Sequence, residues 1–173
     1  MTRSIIKIKT TLLDHQVAQL SAIAIGLSLL ESVLPSPIPG VKPGIANIIS
    51  LYALYRFNFS TAMWVSILRV FATSLILGQF LSPTFMLSFT GSLLSLITLY
   101  ISFRLSKRFF SPISLSILSS FAHIAGQLLL VRFWLIPHAS IYYLIPIYSL
   151  SALLFGLING WITDQLLKHH NSL

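Results

Sequence analysis

Cysteine is absent from this chain, and acidic residues number only three, Asp14, Glu31 and Asp164. Without thiols there are no disulfides, thiolate metal sites or cysteine nucleophiles. The scattered carboxylates form no cluster of oxygen ligands of the kind Mg²⁺ requires. Charged residues make up 8% of the 173 positions, against roughly 25% in soluble domains. The sequence also lacks strand-like alternation and low-complexity tracts. It has no phosphate-binding GxxxxGK[ST] motif, so any ATP hydrolysis falls to another protein. No haem-ligand pair or flavin motif supports a redox centre, and no cofactor is expected.

Apolar residues, by contrast, make up 55% of the chain, and the mean hydropathy is +0.88. One crossing of the hydrocarbon core takes about 20 mostly apolar residues, so this length holds six crossings and leaves no room for a soluble catalytic domain. The expected fold class is all-α, an integral membrane bundle of about six transmembrane helices. Expected spans are 17–34, 44–57, 61–80, 83–103, 112–135 and 142–167, separated by Pro35-Ser-Pro-Ile-Pro-Gly40, Asn58-Phe-Ser60, Ser82-Pro83, Ser111-Pro112 and Pro137-His138. Pro83 and Pro112 suit first helical turns. The domain reading is a cytoplasmic basic segment at 1–16, a six-helix transmembrane domain at 17–167 and a short cytoplasmic tail at 168–173. The basic start followed by an apolar run looks like a signal peptide. The run is full span length without a convincing cleavage site, and retention as the first helix is expected.

Eleven Lys and Arg give a net charge of +8. They cluster between the apolar runs rather than along one face, as topogenic charges meeting membrane lipid headgroups do; no nucleic-acid partner is expected. Arg3, Lys7, Lys9, Arg56, Arg104, Lys107, Arg108 and Lys168 fall on one side, Lys42 and Arg132 on the other, with Arg69 inside the third span. The positive-inside rule puts both termini in the cytoplasm of a bacterial inner-membrane, multi-pass protein.

The second span is short. Fourteen residues rise about 21 Å against a core of about 30 Å. The segment 35–43 is therefore expected to dip into the membrane, which irregular backbone does only when buried in protein or lining a cavity; a tilted or misassigned span is the alternative. Glu31, the one carboxylate well inside the spans, has to lie near an interface, be protonated or be paired with Arg69 or Lys42. An ion pair holding the bundle and a role in a site are both open.

Candidate substrate-binding residues follow from the cost of polar groups in lipid: Lys42, Gly44, Asn47, Arg69, His123 and Gln127. Lys42 and Gly44 sit beside a helix start that favours anions. His123 and Gln127, four apart, share a helix face and suit either a ligand or a neighbouring helix. No second His, Asp or Glu stands at ligand spacing from His123, so no metal is expected. Small residues at Ala18, Ala22 and Gly26, and at Gly156 and Gly160, permit close helix approach; the last pair reads as intramolecular packing. Tyr142, Tyr143, Tyr148 and Trp161 read as an interfacial aromatic belt.

In order and spacing, Pro39-Gly-Val-Lys-Pro-Gly-Ile-Ala-Asn-Ile48, Leu68-Arg-Val70, Leu81-Ser-Pro-Thr-Phe85 with Ser88 to Gly91, Ala122-His-Ile-Ala-Gly-Gln127 and Tyr142-Tyr-Leu-Ile-Pro146 with Gly156 to Gly160 resemble the Gx transporter family. Its members are often labelled heptaprenyl diphosphate synthase component I. Pro43 replaces a usual aliphatic residue and Ile124 a common Asn. The family is similar to the S components of energy-coupling-factor transporters, six-helix proteins that capture vitamin-like molecules. The resemblance implies a small-molecule substrate (vitamin-like, a quinone precursor or isoprenoid-related), a cap from 35–43, and a partner-docking face at Ala18, Ala22 and Gly26. The implied partners are transporter coupling and ATPase subunits. The enzyme label implies instead a prenyltransferase partner. A prenyl-diphosphate synthase holds Mg²⁺ and diphosphate with clustered carboxylates, so this chain is expected to be non-catalytic, an accessory of polyprenyl diphosphate or quinone biosynthesis. A structural subunit of an electron-transfer assembly is a third possibility.

Overall fold

The computed structural model describes residues 11–34, 43–105 and 110–171. Among the described residues six α-helices follow one another: α1 Leu12–Val33, α2 Asn47–Arg56, α3 Phe59–Ile76, α4 Pro83–Leu105, α5 Pro112–Leu130 and α6 Ile145–Asn171. No strand occurs among the described residues. Five segments, one in each helix but α2, are long and apolar enough to cross a membrane. Much of the outer surface is apolar: Leu30, Leu75, Leu93, Leu129, Leu154 and Trp161 are all exposed. Water would penalise such a surface, whereas acyl chains match it. The chain is an all-α membrane bundle.

Local chemistry sets the helix ends. Thr11 and Asp14 form a reciprocal cap, in which the Asp14 N–H donates to Thr11 Oγ1 at 3.3 Å and the Thr11 N–H to Asp14 Oδ2 at 2.7 Å. This starts α1 at Leu12, five residues before the expected 17. Asn58 caps α3 and Ser111 caps α5, each accepting a backbone N–H three residues on. Pro83 and Pro112 occupy first turns as expected. The third helix stops at Ile76 rather than 80, because Gly78 and Leu81 take left-handed backbone in the turn to α4, at φ 65° and 61°. The fifth does not run as α-helix to 135: from Val131 to Leu135 it widens into a π-turn. A 3₁₀ turn, Ala139–Leu144, then leads into α6, whose α-helical part begins at Ile145 instead of 142 and continues past 167 to Asn171.

The short α2 lies at the centre, packed on α1, α3, α5 and α6. Half of its ten residues are buried. Around it α1 packs on α3, α3 on α4, α4 on α5, and α5 on α6. Adjacent helices alternate in direction, so the final turns of α1, α3 and α5 gather with the first turns of α2, α4 and α6. At the other end Leu54, Val65, Leu99 and Leu115 form the apolar core. There the Tyr55 hydroxyl donates to the Phe110 carbonyl at 2.9 Å, and Phe59 packs on Tyr100. Arg56, Arg104 and Lys168 lie at that same end, with the start of α1 and the end of α6.

Two glycine pairs bring helices into contact. A Cβ on Gly160 or Gly156 would lie 2.6 or 2.8 Å from the Ile113 or Ile117 Cα of α5. This is the intramolecular packing expected of that pair. Gly126 of α5 meets the Thr90 carbonyl and Gly91 of α4 in the same way. Serine fills much of the remaining interior. Ser88, Ser92, Ser95 and Ser102 run down one side of α4, and the last three are buried.

Candidate functional site

A cavity open on one side occupies the end of the bundle away from Arg56, Arg104 and Lys168. All six helices contribute to its wall. Glu31 comes from α1, Asn47 from α2, Arg69 from α3, Ser88 from α4, His123 from α5 and Asn159 from α6.

The floor is irregular backbone. Residues 43–46 precede α2 without joining it, and Gly44 takes φ 69°, a left-handed conformation natural to glycine. Away from water such backbone needs side-chain partners, and two helices supply them. Glu31 Oε1 accepts the Ile45 N–H at 2.6 Å. Asn159 Nδ2 donates to the carbonyls of Pro43 and Gly44 at 3.0 and 3.2 Å. Unwound chain at 43–46 thus leads into the short α2, held by side chains of α1 and α6. Lys42 and the rest of the expected dip, 35–42, lie outside the described residues, as do Arg3, Lys7, Lys9, Lys107 and Arg108.

The walls carry the remaining polar groups. Arg69 is 7% exposed and donates from one terminal nitrogen to Ser92 Oγ at 3.3 Å. Glu31 and Arg69 both line the cavity and act electrostatically on one another. Gln127 Nε2 stands 3.2 Å from His123 Nε2. The two side chains, one turn apart on α5, thus hydrogen-bond to each other. Three buried polar atoms of the wall have no hydrogen-bond partner: Arg69 Nε, Thr73 Oγ1 and His123 Nδ1. Apolar surface comes from Val70, Leu77, Phe85, Ile124, Ala152 and Phe155. Phe85 in turn belongs to an aromatic cluster with Phe71, Phe80 and Phe89 at the α3–α4 turn.

Of the six residues singled out for binding, Gly44, Asn47, Arg69, His123 and Gln127 line this one cavity. Tyr148, read above as part of an aromatic belt, lines it too, because its position one turn into α6 faces the bundle interior. Tyr142, Tyr143 and Trp161 are exposed. Asn159 was not singled out, although an amide inside an apolar span carries the same signal as Asn47. The wall serines Ser88, Ser92, Ser120 and Ser151 were also missed, since serine is too common in these spans to stand out. Ala18, Ala22 and Gly26 are exposed on the side of α1 away from its buried residues Ser21, Ala24 and Glu31, and a Cβ on Gly26 would meet nothing within 4 Å.

Neither a curated protein nor a solved structure matches the chain. The family model described as heptaprenyl diphosphate synthase component I matches residues 20–166, which include every residue lining the cavity. The chain belongs to the heptaprenyl diphosphate synthase component I family.

Proposed function

We propose that this protein is a non-catalytic membrane component that captures a small amphipathic molecule in the cavity and presents it to partner proteins. The observation that carries this reading is the composition of the wall. Six helices each turn polar side chains onto one space otherwise lined by Phe, Leu, Ile and Val, the division of labour usual in a small-molecule pocket. Lys42, next to Pro43, belongs to the same site in this reading, with Gly44, Asn47, Arg69, His123 and Gln127.

The acids give no support to a metal-diphosphate reaction. Asp14 is spent on the cap of α1, Glu31 on the Ile45 N–H, and Asp164 on an ion pair with Lys168 at 2.6 Å. Chemistry or energy comes from elsewhere, a second synthase component by the family's name or a coupling subunit with its ATPases. The exposed Ala18, Ala22 and Gly26 face fits close approach by a partner helix, which favours the S-component-like, uptake side of the reading. By the positive-inside rule both termini and the Arg56, Arg104 and Lys168 end face the cytoplasm of a bacterial inner membrane, and the cavity opens outward.

Gentle purification followed by native mass spectrometry tests the reading. A stoichiometric small molecule retained by the wild type and lost in Asn47→Ala or Gln127→Ala of unchanged stability is the expected result. Retention unaffected by either variant would contradict it.

A further inference from the structure

Beneath the cavity, toward the Arg56 and Arg104 end, lies a second and much smaller chamber between α2, α3, α4 and α5. Its wall carries six polar side chains, Asn47, Ser50, Ser66, Ser95, Ser116 and Ser119, against three leucines, Leu51, Leu96 and Leu99. All five serines are buried. Serines converging from four helices on one point of an apolar bundle need an explanation. The ordinary one is a bond from each hydroxyl to its own helix, as Thr90 and Ser151 make. Ser119 makes one, donating to the Ser116 carbonyl at 3.0 Å. Ser66, Ser95 and Ser116 do not, and neither their hydroxyls nor the Asn47 amide bonds to another described residue.

We infer that the chamber is the site of a single ordered water that bridges Asn47 to the serines beneath it. The space admits about one water. Hydroxyls donate and accept, and so does the Asn47 amide, so the wall supplies the two to four partners that a buried water requires. Polar groups inside a bundle surrounded by lipid have no bulk solvent to turn to. Charge and size argue against an ion. No carboxylate lines the chamber, and Arg69, one turn from Ser66, bonds to Ser92, one turn from Ser95, so a cation is repelled. Chloride is larger than the space. Asn47 also lines the cavity above, and the water holds from below a side chain that faces it.

X-ray radiolysis of the full chain in detergent, read by mass spectrometry, tests this. Radicals born from a bound water oxidise the side chains touching it, even where bulk solvent does not reach. Leu51 and Leu96 wall the chamber, whereas Leu54 and Leu115 are buried in the apolar core outside it. The chamber pair is expected to oxidise severalfold faster than the core pair. In Ser95→Val, which fills space and removes a hydroxyl, the difference is expected to vanish; Ser116→Val makes the same change from α5 should the first variant fail to fold. Wild-type Leu51 and Leu96 as protected as Leu54 and Leu115 overturn the site. Undiminished oxidation in a folded valine variant traces the radicals to bulk solvent and overturns it too. Unfolding midpoints in sodium chloride, choline chloride and sodium gluconate are expected to agree. A rise with sodium or with chloride that the valine variant abolishes puts an ion in the chamber instead of water. Neither readout depends on what the cavity above holds.

Discussion

Glu31 near the end of α1 holds the backbone N–H of Ile45 at 2.6 Å, fourteen residues further along the chain. The one carboxylate deep in the spans thus fastens the irregular entry to α2 rather than standing in lipid. Removing the acceptor leaves a buried N–H unsatisfied, at a cost of about 1–3 kcal/mol. Glu31→Ala is expected to lower the unfolding midpoint in detergent distinctly more than Glu31→Gln, whose amide oxygen still accepts. Equal midpoints would mean that the bond contributes nothing.

Asn159 acts on the same segment from α6, as a donor to two carbonyls. Asn159→Asp keeps the shape but loses the NH₂ group that donates to both carbonyls. It is expected to destabilise by about as much as Asn159→Ala, roughly 1–3 kcal/mol, and to reduce ligand retention because the floor of the cavity moves. Thermal unfolding with retention measured in parallel checks both effects. A stable, ligand-retaining Asn159→Asp protein would show that the amide is not the clamp described.

The glycines separate packing from docking. Gly160→Ala forces a methyl within 2.6 Å of the Ile113 Cα, and overpacking of this kind costs about 1–3 kcal/mol. Gly26→Ala meets open space and is expected to leave stability unchanged or slightly raised, since alanine is the better helix former. Pull-down of partner subunits by a Gly26→Leu protein is expected to fall while its folding is preserved. Undiminished capture would move the docking face away from α1.

Orientation has its own test. Tags on the two ends, probed by protease in oriented vesicles, are expected to be accessible from the cytoplasmic side together. Termini on opposite faces would contradict an even number of crossings and the outward-opening cavity.

How much of this was legible in the sequence differs by element. Hydropathy and the prolines located α4 and α5, because Pro83 and Pro112 fall where the missing N–H costs little. The start of α1 was missed because Thr11 and Asp14 are polar and lie before the apolar run, yet their cap draws the helix out to Leu12. The end of α3 was overrun because apolar character continues through Leu77 and Phe80 while Gly78 and Leu81 turn the backbone. No pattern announced the π-turn at Val131–Leu135, which is a backbone event within an apolar stretch. In the cavity, Arg69, Asn47, His123 and Gln127 were visible because polarity is expensive in a span. The serine-lined walls were invisible for the converse reason: a hydroxyl can bond to its own helix, as Thr90 and Ser151 do, so its presence alone does not reveal which way it faces.

In the proposed function the cavity at the end of the bundle away from Arg56 and Arg104 holds a small molecule. Native mass spectrometry of the gently purified protein, wild type beside His123→Phe and Gln127→Ala, tests it most directly. One molecule per wild-type chain, lost from both variants at unchanged unfolding midpoints, is the expected result. A wild-type chain carrying only heterogeneous lipid, with the two variants indistinguishable from it, would contradict a small-molecule site.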